Sequence, residues 1–375
     1  MRVVILSKAL VVGAYHSKLA ELAALPNIEL TAIVPPSWRD ERGTLTMEFS
    51  PNPTYTLIVS PLRFNGSFHL HYYPRLDRLL RQIKPDLVHI DEEPYNLATY
   101  LAVRAAQHVK ARSLFFSWQN LNRHYPVPFS WLERYVLNRA QACIAGNRDA
   151  EHVWRAKGYR GPIEVIPHFC VDPIAFAPKP RPQTNAPFVI GYVGRFVDEK
   201  GIDVLITALS KLDGEWRAEL IGSGPAQPRL IDLAERLGLG ARVRFLPWRS
   251  SSQIADLYRS LDVLVLPSRS KPNWIEQFGR ALTEAMACGV PVIGSTCGEI
   301  PNVIGDAGLI FPEGNAEALR DHLRALLNQP SLRTDLAQRG RQRVLDQFTQ
   351  AQIAQRTYDV YKAVMREAGG KKQDT

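Results

Sequence analysis

The strongest constraint on the fold of this chain is an alternation of short apolar runs with segments of helical periodicity, which occurs twice. Each apolar run has the length of a buried strand, and the segments between runs carry apolar residues at helical spacing. The alternation is typical of parallel sheets covered by helices, because crossover helices connect parallel strands. The predicted strands are residues 3–6, 30–34, 55–59, 86–90, 113–116, 142–145 and 163–166 in the first half, and 188–193, 217–221, 243–246, 262–266, 290–293 and 309–311 in the second.

A proline-rich stretch separates the two regions. Residues 175–187 contain four prolines, which cannot continue a helix or the centre of a sheet. We therefore predict an α/β protein of two Rossmann-like βαβ domains, over residues 1–174 and 188–348, joined by a linker over 175–187. Ligands bind such sheets at the carboxyl ends of their strands, so we expect the active site in a cleft where the two domains face each other.

Composition excludes several classes of protein. Of the 375 residues, 45% are hydrophobic and 22% are charged, which is typical of a soluble globular protein and excludes wholesale disorder. No apolar stretch approaches the roughly 18 residues of a membrane span, and the apolar run at the N-terminus is too short for a signal peptide. The four widely separated cysteines form no C-x-x-C pair. We expect a cytoplasmic protein in a reducing compartment.

The chain is basic, with a formal net charge of +9 that lies mostly in its first half. A phospholipid surface, a phosphorylated acceptor or nucleic acid would complement this charge, although it could equally serve solubility alone. Basic and aromatic residues do not interleave as in RNA-binding proteins, so we expect no nucleic-acid partner. Segment 72–84 carries a basic residue at every third position beside leucines, which fits either peripheral contact with an anionic membrane or an ordinary surface helix.

The most informative segment is 274–293, where Glu276 and Glu284 flank the start of a predicted helix over residues 279–287, which Phe278 and Gly279 open. The amides of a first helical turn can hold a phosphate. Carboxylates there can accept hydrogen bonds from sugar hydroxyls, with Glu276 at the helix mouth and Glu284 two turns further in. Alternatively, Glu276 caps the helix and Glu284 forms an i,i+4 pair with Arg280.

A second segment, G-R-F-V-D-E-K-G over residues 194–201, joins the end of a predicted strand to a helix. Its Arg195 and Lys200 can neutralise a diphosphate, because a guanidinium binds two oxygens and an ammonium acts as a point charge. The alternative for Lys200 is a surface ion pair with Asp203.

These segments resemble the retaining glycosyltransferases of the GT-B fold, in the large family four of nucleotide-sugar-dependent enzymes. The resemblance rests on E-x-F-G and E-A-M-A-x-G-x-P-V after residue 275 and extends from Gly191 to Pro312. It implies a catalytic set of Arg195, Lys200 and Glu276. It implies donor contacts from Gly13, from Gly222 and Gly224 of I-G-S-G-P, and from Phe278, Gly279 and Glu284.

The resemblance also has mechanistic implications. The anomeric configuration is retained, and the leaving phosphate helps to deprotonate the acceptor. Residues 349–375 form a helix that crosses back to the first domain and ends in a frayed tail. Because Arg195, Lys200 and helix amides can stabilise the leaving group, we expect no metal or other cofactor.

The first half departs from the family pattern. The family often has paired glycines after its first strand, and this chain keeps only Gly13. Many members of the family also have a histidine that faces the sugar. This chain has Trp118 and Gln119 in its place, with His124 nearby. Glu93 ends a predicted strand in an acidic run, where it either contacts acceptor hydroxyls or marks a solvated helix start. In the second half, Trp248 either stacks on a nucleobase or packs against other side chains of the protein.

We therefore predict a glycosyltransferase of polysaccharide biosynthesis. It would move a hexose from a nucleotide-sugar donor to a glycan, lipid-linked or small-molecule acceptor. The alternatives are a nucleotide-sugar epimerase or phosphorylase on the same fold and, least favoured, a non-enzymatic basic binding protein.

Overall fold

The computed structural model describes residues 1–40, 43–49, 53–179, 187–248 and 251–370. The chain divides into two α/β units. The first unit consists of Met1–His168 with Gln350–Thr375, and the second unit is Phe169–Thr349. No helix in the described part of the chain is long and apolar enough to cross a membrane.

The first unit is built on a seven-stranded parallel sheet, in the order β5-β2-β1-β6-β7-β8-β9. All seven apolar runs predicted in this half form its strands, and a short antiparallel pair, β3 with β4, was not predicted. The strands are β1 (Arg2–Leu6), β2 (Glu29–Val34), β3 (Ser37–Asp40), β4 (Gly43–Thr46), β5 (Thr56–Val59), β6 (Leu87–Ile90), β7 (Arg112–Ser117), β8 (Ala142–Ala145) and β9 (Ile163–Val165).

Helices cover this sheet and bury a core that includes Leu80, Phe115 and Trp154. They are α1 (His16–Ala23), α2 (Leu76–Ile83), α3 (Leu97–His108), α4 (Phe129–Leu137) and α5 (Arg148–Ala156). Helix α2 is the predicted basic helix. Its apolar residues pack into the core of its own unit, whereas its basic residues are exposed. The apolar face is therefore not free to enter a membrane, and only the basic face reaches the surface.

The second unit has a six-stranded parallel sheet in the order β12-β11-β10-β13-β14-β15, which is the doubly wound arrangement. Its strands are β10 (Phe188–Val193), β11 (Trp216–Ile221), β12 (Val243–Leu246), β13 (Val263–Leu266), β14 (Val292–Ser295) and β15 (Leu309–Phe311). Strand order reverses between the neighbours β10 and β13, so the loops after these two strands lie beside each other at a topological switch point.

Helices of the second unit pack on this sheet, whose central strands are buried along their length. They are α6 (Ile202–Leu209), α7 (Gln227–Arg236), α8 (Ser251–Arg259), α9 (Arg280–Ala287), α10 (Ile300–Ile304), α11 (Ala316–Asn328) and α12 (Pro330–Gln347). Of the predicted linker, residues 180–186 lie outside the described residues. Residues before them contact the second unit, since Arg259 donates hydrogen bonds to the carbonyl oxygens of Ala175 and Ala177.

The last helix, α13 (Gln350–Gly370), belongs to the first unit. It packs against α1, and the hydroxyl oxygen of its buried Tyr361 lies 2.6 Å from Nδ1 of His89 on β6. The Arg356 guanidinium lies 2.8 Å from the carboxylate of Glu164 on β9. The C-terminal segment is therefore part of the core of the first unit.

Candidate functional site

The switch point of the second unit holds a cavity of about 370 Å³. Its walls include the loop after β10, the segment after β13 and the first turns of α9, together with residues of α8. Six residues selected from the sequence line this one cavity, namely Arg195, Lys200, Glu276, Phe278, Gly279 and Glu284.

At the centre of the cavity wall, Lys200 and Glu276 form an ion pair. Nζ of Lys200 lies 2.6 Å from Oε2 of Glu276, and the hydroxyl of Ser268 donates to the same oxygen at 2.9 Å. Glu276 is only 7% exposed, and the Lys200 ammonium also lies 5.0 Å from the centre of the Trp274 ring. The suggested pair between Lys200 and Asp203 does not form, because Asp203 pairs with Arg269 at 2.9 Å.

Glu284 is held from two sides. The hydroxyl of buried Tyr258 donates to its Oε2 at 2.7 Å, and Nε of Arg280 donates to its Oε1 at 2.6 Å. The i,i+4 pair that the sequence suggested as the alternative is therefore present. Burial, and next the charge of Glu284, raise the pKa of Tyr258 well above its usual value, so Tyr258 remains a donor. These contacts fix the direction in which the Glu284 carboxylate faces the cavity.

Helix α9 starts at the cavity with Gly279 as its N-cap. Within the described chain no side chain caps this first turn, and it contains no acidic residue. Phe278 is buried, and its ring packs 5.7 Å from both Phe169 and Phe348. Phe278 therefore anchors the start of the helix, and the positive end of the helix dipole points to the cavity.

Arg195 lies at the mouth of the cavity with its side chain 71% exposed. Its carbonyl oxygen accepts a hydrogen bond from the Tyr192 hydroxyl at 2.9 Å, and the nearest carboxylate, on Glu199, is 3.8 Å from the guanidinium. The backbone is thus fixed while the guanidinium can turn toward a ligand. Trp248, 60% exposed, also lies on the cavity wall.

Gly222 and Gly224 support the Arg195 loop from β11. A Cβ on Gly222 would lie 1.9 Å from the carbonyl oxygen of Gly194, and one on Gly224 would lie 2.3 Å from that of Phe196. Both glycines have positive φ and are not among the residues that line the cavity. Their position indicates that they allow the two loops to pack closely.

The first unit has its own polar cluster at its switch point, where β1 and β6 end. Lys8, after β1, donates to Glu92, after β6, through both its backbone amide and its ammonium. Nε2 of His71 is 3.4 Å from Oε1 of Glu92. Burial alone would raise the pKa of Glu92, but Lys8 and His71 lower it to about 2. Glu92 belongs to the acidic run noted in the sequence, whereas Lys8 and His71 were not selected, although Lys8 lies two residues after β1.

Glu93 lies beside this cluster and faces β7. Its carboxylate accepts hydrogen bonds from the Ser117 hydroxyl at 2.6 Å and from the Trp118 amide at 2.8 Å. Burial raises the pKa of Glu93 to about 7, and these two hydrogen bonds oppose the increase. The neighbouring Gln119 is buried, and its Oε1 has no hydrogen-bond partner among the described residues. Glu93, Trp118 and Gln119 are thus brought together.

Two predicted residues of the first unit are not part of this group. The Gly13 amide donates to Oε2 of Glu48 at 2.6 Å, so Glu48 occupies the amide that was expected to face the donor phosphate. His124 is exposed on the loop after β7. Ser268 and Tyr258 are the residues of the second unit that sequence reasoning missed, and for Ser268 the signal was its place two residues after β13.

Comparison with known proteins gives matches along most of the chain. A model of glycosyl transferases group 1 matches residues 175–343, and a model of glycosyltransferase family 4 matches residues 28–173. The lipopolysaccharide core biosynthesis glycosyltransferase LpsE of Rhizobium meliloti is 31% identical over 286 residues, which cover 74% of this chain and 78% of LpsE.

Other relatives match over shorter stretches. The D-inositol 3-phosphate glycosyltransferase of Saccharomonospora viridis is 32% identical over 191 residues, 47% of this chain and 43% of that protein. The one of Mycolicibacterium smegmatis is 37% identical over 160 residues, 39% and 35% of the two chains. The chain therefore spans less than half the length of these relatives.

Solved structures share the fold at low identity. Sucrose-phosphate synthase of Thermosynechococcus elongatus has a TM-score of 0.69 at 20% identity, covering 98% of this chain and 100% of that one. Anabaena HepE in complex with UDP has a TM-score of 0.71 at 18% identity, covering 97% and 100%.

Proposed function

We propose a transfer reaction for this chain, which belongs to the group 1 glycosyl transferases, the family 4 enzymes of the GT-B fold. The chain transfers a hexose from a nucleoside-diphosphate sugar to a glycan, lipid-linked or small-molecule acceptor. The anomeric configuration of the sugar is retained. The observation that carries the proposal is the convergence of Lys200, Glu276 and the start of α9 on one cavity.

The diphosphate of the donor would bind at Lys200 and Arg195. An ammonium has three donor hydrogens, so Lys200 can keep its bond to Glu276 and also donate to a phosphate oxygen. The exposed Arg195 guanidinium can donate two parallel hydrogen bonds to phosphate oxygens. The first turn of α9 adds backbone donors and a positive dipole end. Together these groups would stabilise the negative charge on the leaving diphosphate, which supports a reaction without a metal ion.

The sugar and the nucleoside would be held by the two glutamates. Oε2 of Glu276 is taken by Lys200 and Ser268, whereas Oε1 has no hydrogen-bond partner among the described residues and can accept from a sugar hydroxyl. Each oxygen of Glu284 already accepts one hydrogen bond, and the second lone pair of each can accept from a ribose diol. Trp248 is available to stack on the base.

The acceptor would bind to the first unit. Glu93, with a pKa of about 7, can accept a proton or a hydrogen bond from an acceptor hydroxyl near neutral pH, and the unpaired Oε1 of Gln119 is a second acceptor close by. A lipid-linked acceptor would place the chain at an anionic membrane. The exposed basic face of α2 supports such a contact through charge alone, because its apolar face is covered.

The experiment that tests the function is transfer itself. The purified chain is incubated with ¹³C-labelled UDP-, GDP-, ADP- and TDP-hexoses and a panel of saccharide acceptors, and products are followed by NMR. We expect nucleoside diphosphate release and a glycoside with the anomeric configuration of the donor, both abolished by Glu276→Ala. A glycoside of inverted configuration, or an epimerised nucleotide sugar without any glycoside, would contradict the proposal.

A further inference from the structure

A second cavity, of about 530 Å³, lies at the opposite edge of the sheet of the first unit, where β1, β6 and β7 begin. Six of its lining residues are basic side chains or histidine: Arg2, Arg81, Lys84, His108, Lys110 and Arg112. Arg2 and Arg112 are the first residues of β1 and β7, and Lys84 and Lys110 follow helices α2 and α3. The cavity is therefore separate from the Glu93 cluster at the other edge.

Acidic neighbours neutralise part of this charge. Asp86, which also lines the cavity, accepts a hydrogen bond from the Arg2 amide at 2.7 Å, and Asp77 pairs with both Arg81 and His108 at 2.9 Å. In the part of the chain that the structure describes, no carboxylate lies within ion-pair distance of Lys84, Lys110 or Arg112. Three permanent positive charges thus line one cavity with no ion-pair partner among the described residues, and Asp86 is the one acidic residue in the lining that the structure describes.

The backbone holds both lysines in an unusual conformation. Lys84 has φ 51° and Lys110 has φ 59°, in the left-handed region where glycine and asparagine are the favoured residues after a helix. Lysines near helix carboxyl ends are stabilised by the helix dipole, but this does not account for Arg2 and Arg112, which lie on strands. Arg2 has protein partners in Asp86 and the Ile83 carbonyl oxygen, whereas Lys84, Lys110 and Arg112 have no ion-pair partner among the described residues.

We propose that this cavity binds a phosphate-bearing anion. Its volume lies within the roughly 300–1,000 Å³ of small-molecule sites, and the Arg112 guanidinium with two ammonium groups can bind several phosphate oxygens at once. The phosphate can belong to a soluble phosphorylated compound or to a phospholipid headgroup. The site is independent of the proposed transfer reaction.

The test uses a variant in which the charges are lost but the backbone is preserved. Lys84→Asn with Lys110→Asn removes two cations, and asparagine tolerates the left-handed conformation. The matched control, Arg134→Gln with Arg160→Gln, removes two exposed charges of the same unit that lie outside both the cavity and α2. Both pairs are made in the Lys200→Ala background, so that binding of pyrophosphate in the second unit is weakened and is the same in the two variants.

Binding is measured by calorimetry with inorganic pyrophosphate and by sedimentation with vesicles of phosphatidylglycerol and phosphatidylcholine. We expect the asparagine pair to bind pyrophosphate, the vesicles or both about tenfold or more weakly, while the control pair keeps its affinity for both. A loss confined to pyrophosphate identifies a soluble ligand, and a loss with vesicles identifies a headgroup. Affinity that is unchanged in both arms, or that falls equally in the control pair, would overturn the proposal.

Discussion

Lys200 and Glu276 lie 76 residues apart in the chain, yet the Lys200 ammonium is 2.6 Å from Oε2 of Glu276. The contact exists because β10 and β13 are neighbours at the point where strand order reverses, so the segments that follow them share one edge of the sheet. The pair leaves Oε1 of Glu276 without a hydrogen-bond partner among the described residues and places a cation beside the carboxylate. The proposed function uses this arrangement to bind a sugar and a diphosphate next to each other.

The first prediction concerns the sugar contact of Glu276. If its Oε1 accepts from a sugar hydroxyl, the wild type binds a nucleoside-diphosphate hexose more tightly than the nucleoside diphosphate alone. Glu276→Ala should remove this difference, about 1.5–3 kcal/mol for a hydrogen bond to a charged group, as measured by calorimetry with the two ligands. A difference that persists in Glu276→Ala would show that another residue holds the sugar.

The second prediction concerns Glu93 and pH. Its folded pKa of about 7 lies above the ordinary value of 4.5, so the folded state binds this proton more tightly than the unfolded state. The stabilising contribution is present in full below pH 4.5 and is lost as the pH rises through about 7. At pH 8 ionised Glu93 should reduce the free energy of unfolding by up to about 3 kcal/mol relative to pH 4.5.

Replacement by glutamine isolates this contribution. Glu93→Gln should become progressively more stable relative to the wild type between pH 4.5 and pH 8 in denaturant unfolding. Glu29→Gln, at an exposed position of the same unit, should show no such trend. A pH-independent difference between Glu93→Gln and the wild type would refute the raised pKa.

The third prediction concerns the close packing at Gly222. A methyl group there would lie 1.9 Å from the Gly194 carbonyl oxygen, and φ is 150°. Gly222→Ala should therefore cost about 2 kcal/mol or more and lower the melting temperature by several degrees. Gly240→Ala is the matched control, since its Cβ would meet nothing within 4 Å. Equal melting temperatures for the two variants would contradict the packing role of Gly222.

The fourth prediction concerns metal ions. Because Arg195, Lys200 and the start of α9 supply positive charge for the leaving group, we expect the transfer rate to be unchanged after EDTA treatment and dialysis. The measurement is the initial rate of nucleoside diphosphate release with and without added Mg²⁺ or Mn²⁺. A rate that falls in EDTA and returns with either ion would show that Arg195, Lys200 and the start of α9 do not stabilise the leaving group sufficiently without a metal ion.

Much of the fold could be predicted from the sequence, because buried parallel strands are short apolar runs with clear boundaries. The β3–β4 pair was not predicted, because segments such as Ser37–Asp40 are half exposed and do not alternate between apolar and polar residues. In the second unit, Glu276 and Glu284 were selected through the family resemblance, and both line the cavity.

The partners of these residues could not be predicted. Whether Lys200 pairs with nearby Asp203 or distant Glu276 depends on the order of strands in the sheet, which sequence spacing does not contain. The same holds for Tyr258 on α8, which meets Glu284 only after two helices pack. The raised pKa of Glu93 depends on burial beside β7, a property of the assembled unit.

The most direct test of the central claim is donor binding at Lys200. Calorimetry of UDP-, GDP-, ADP- and TDP-hexoses is carried out with the wild type, with Lys200→Ala, and with Lys211→Ala, which removes an exposed lysine paired with Glu317 in the same unit. We predict that the wild type and Lys211→Ala bind one donor equally, and that Lys200→Ala binds it about 10- to 100-fold more weakly. Equal binding by all three proteins, or no binding of any donor, would contradict the assignment of this cavity.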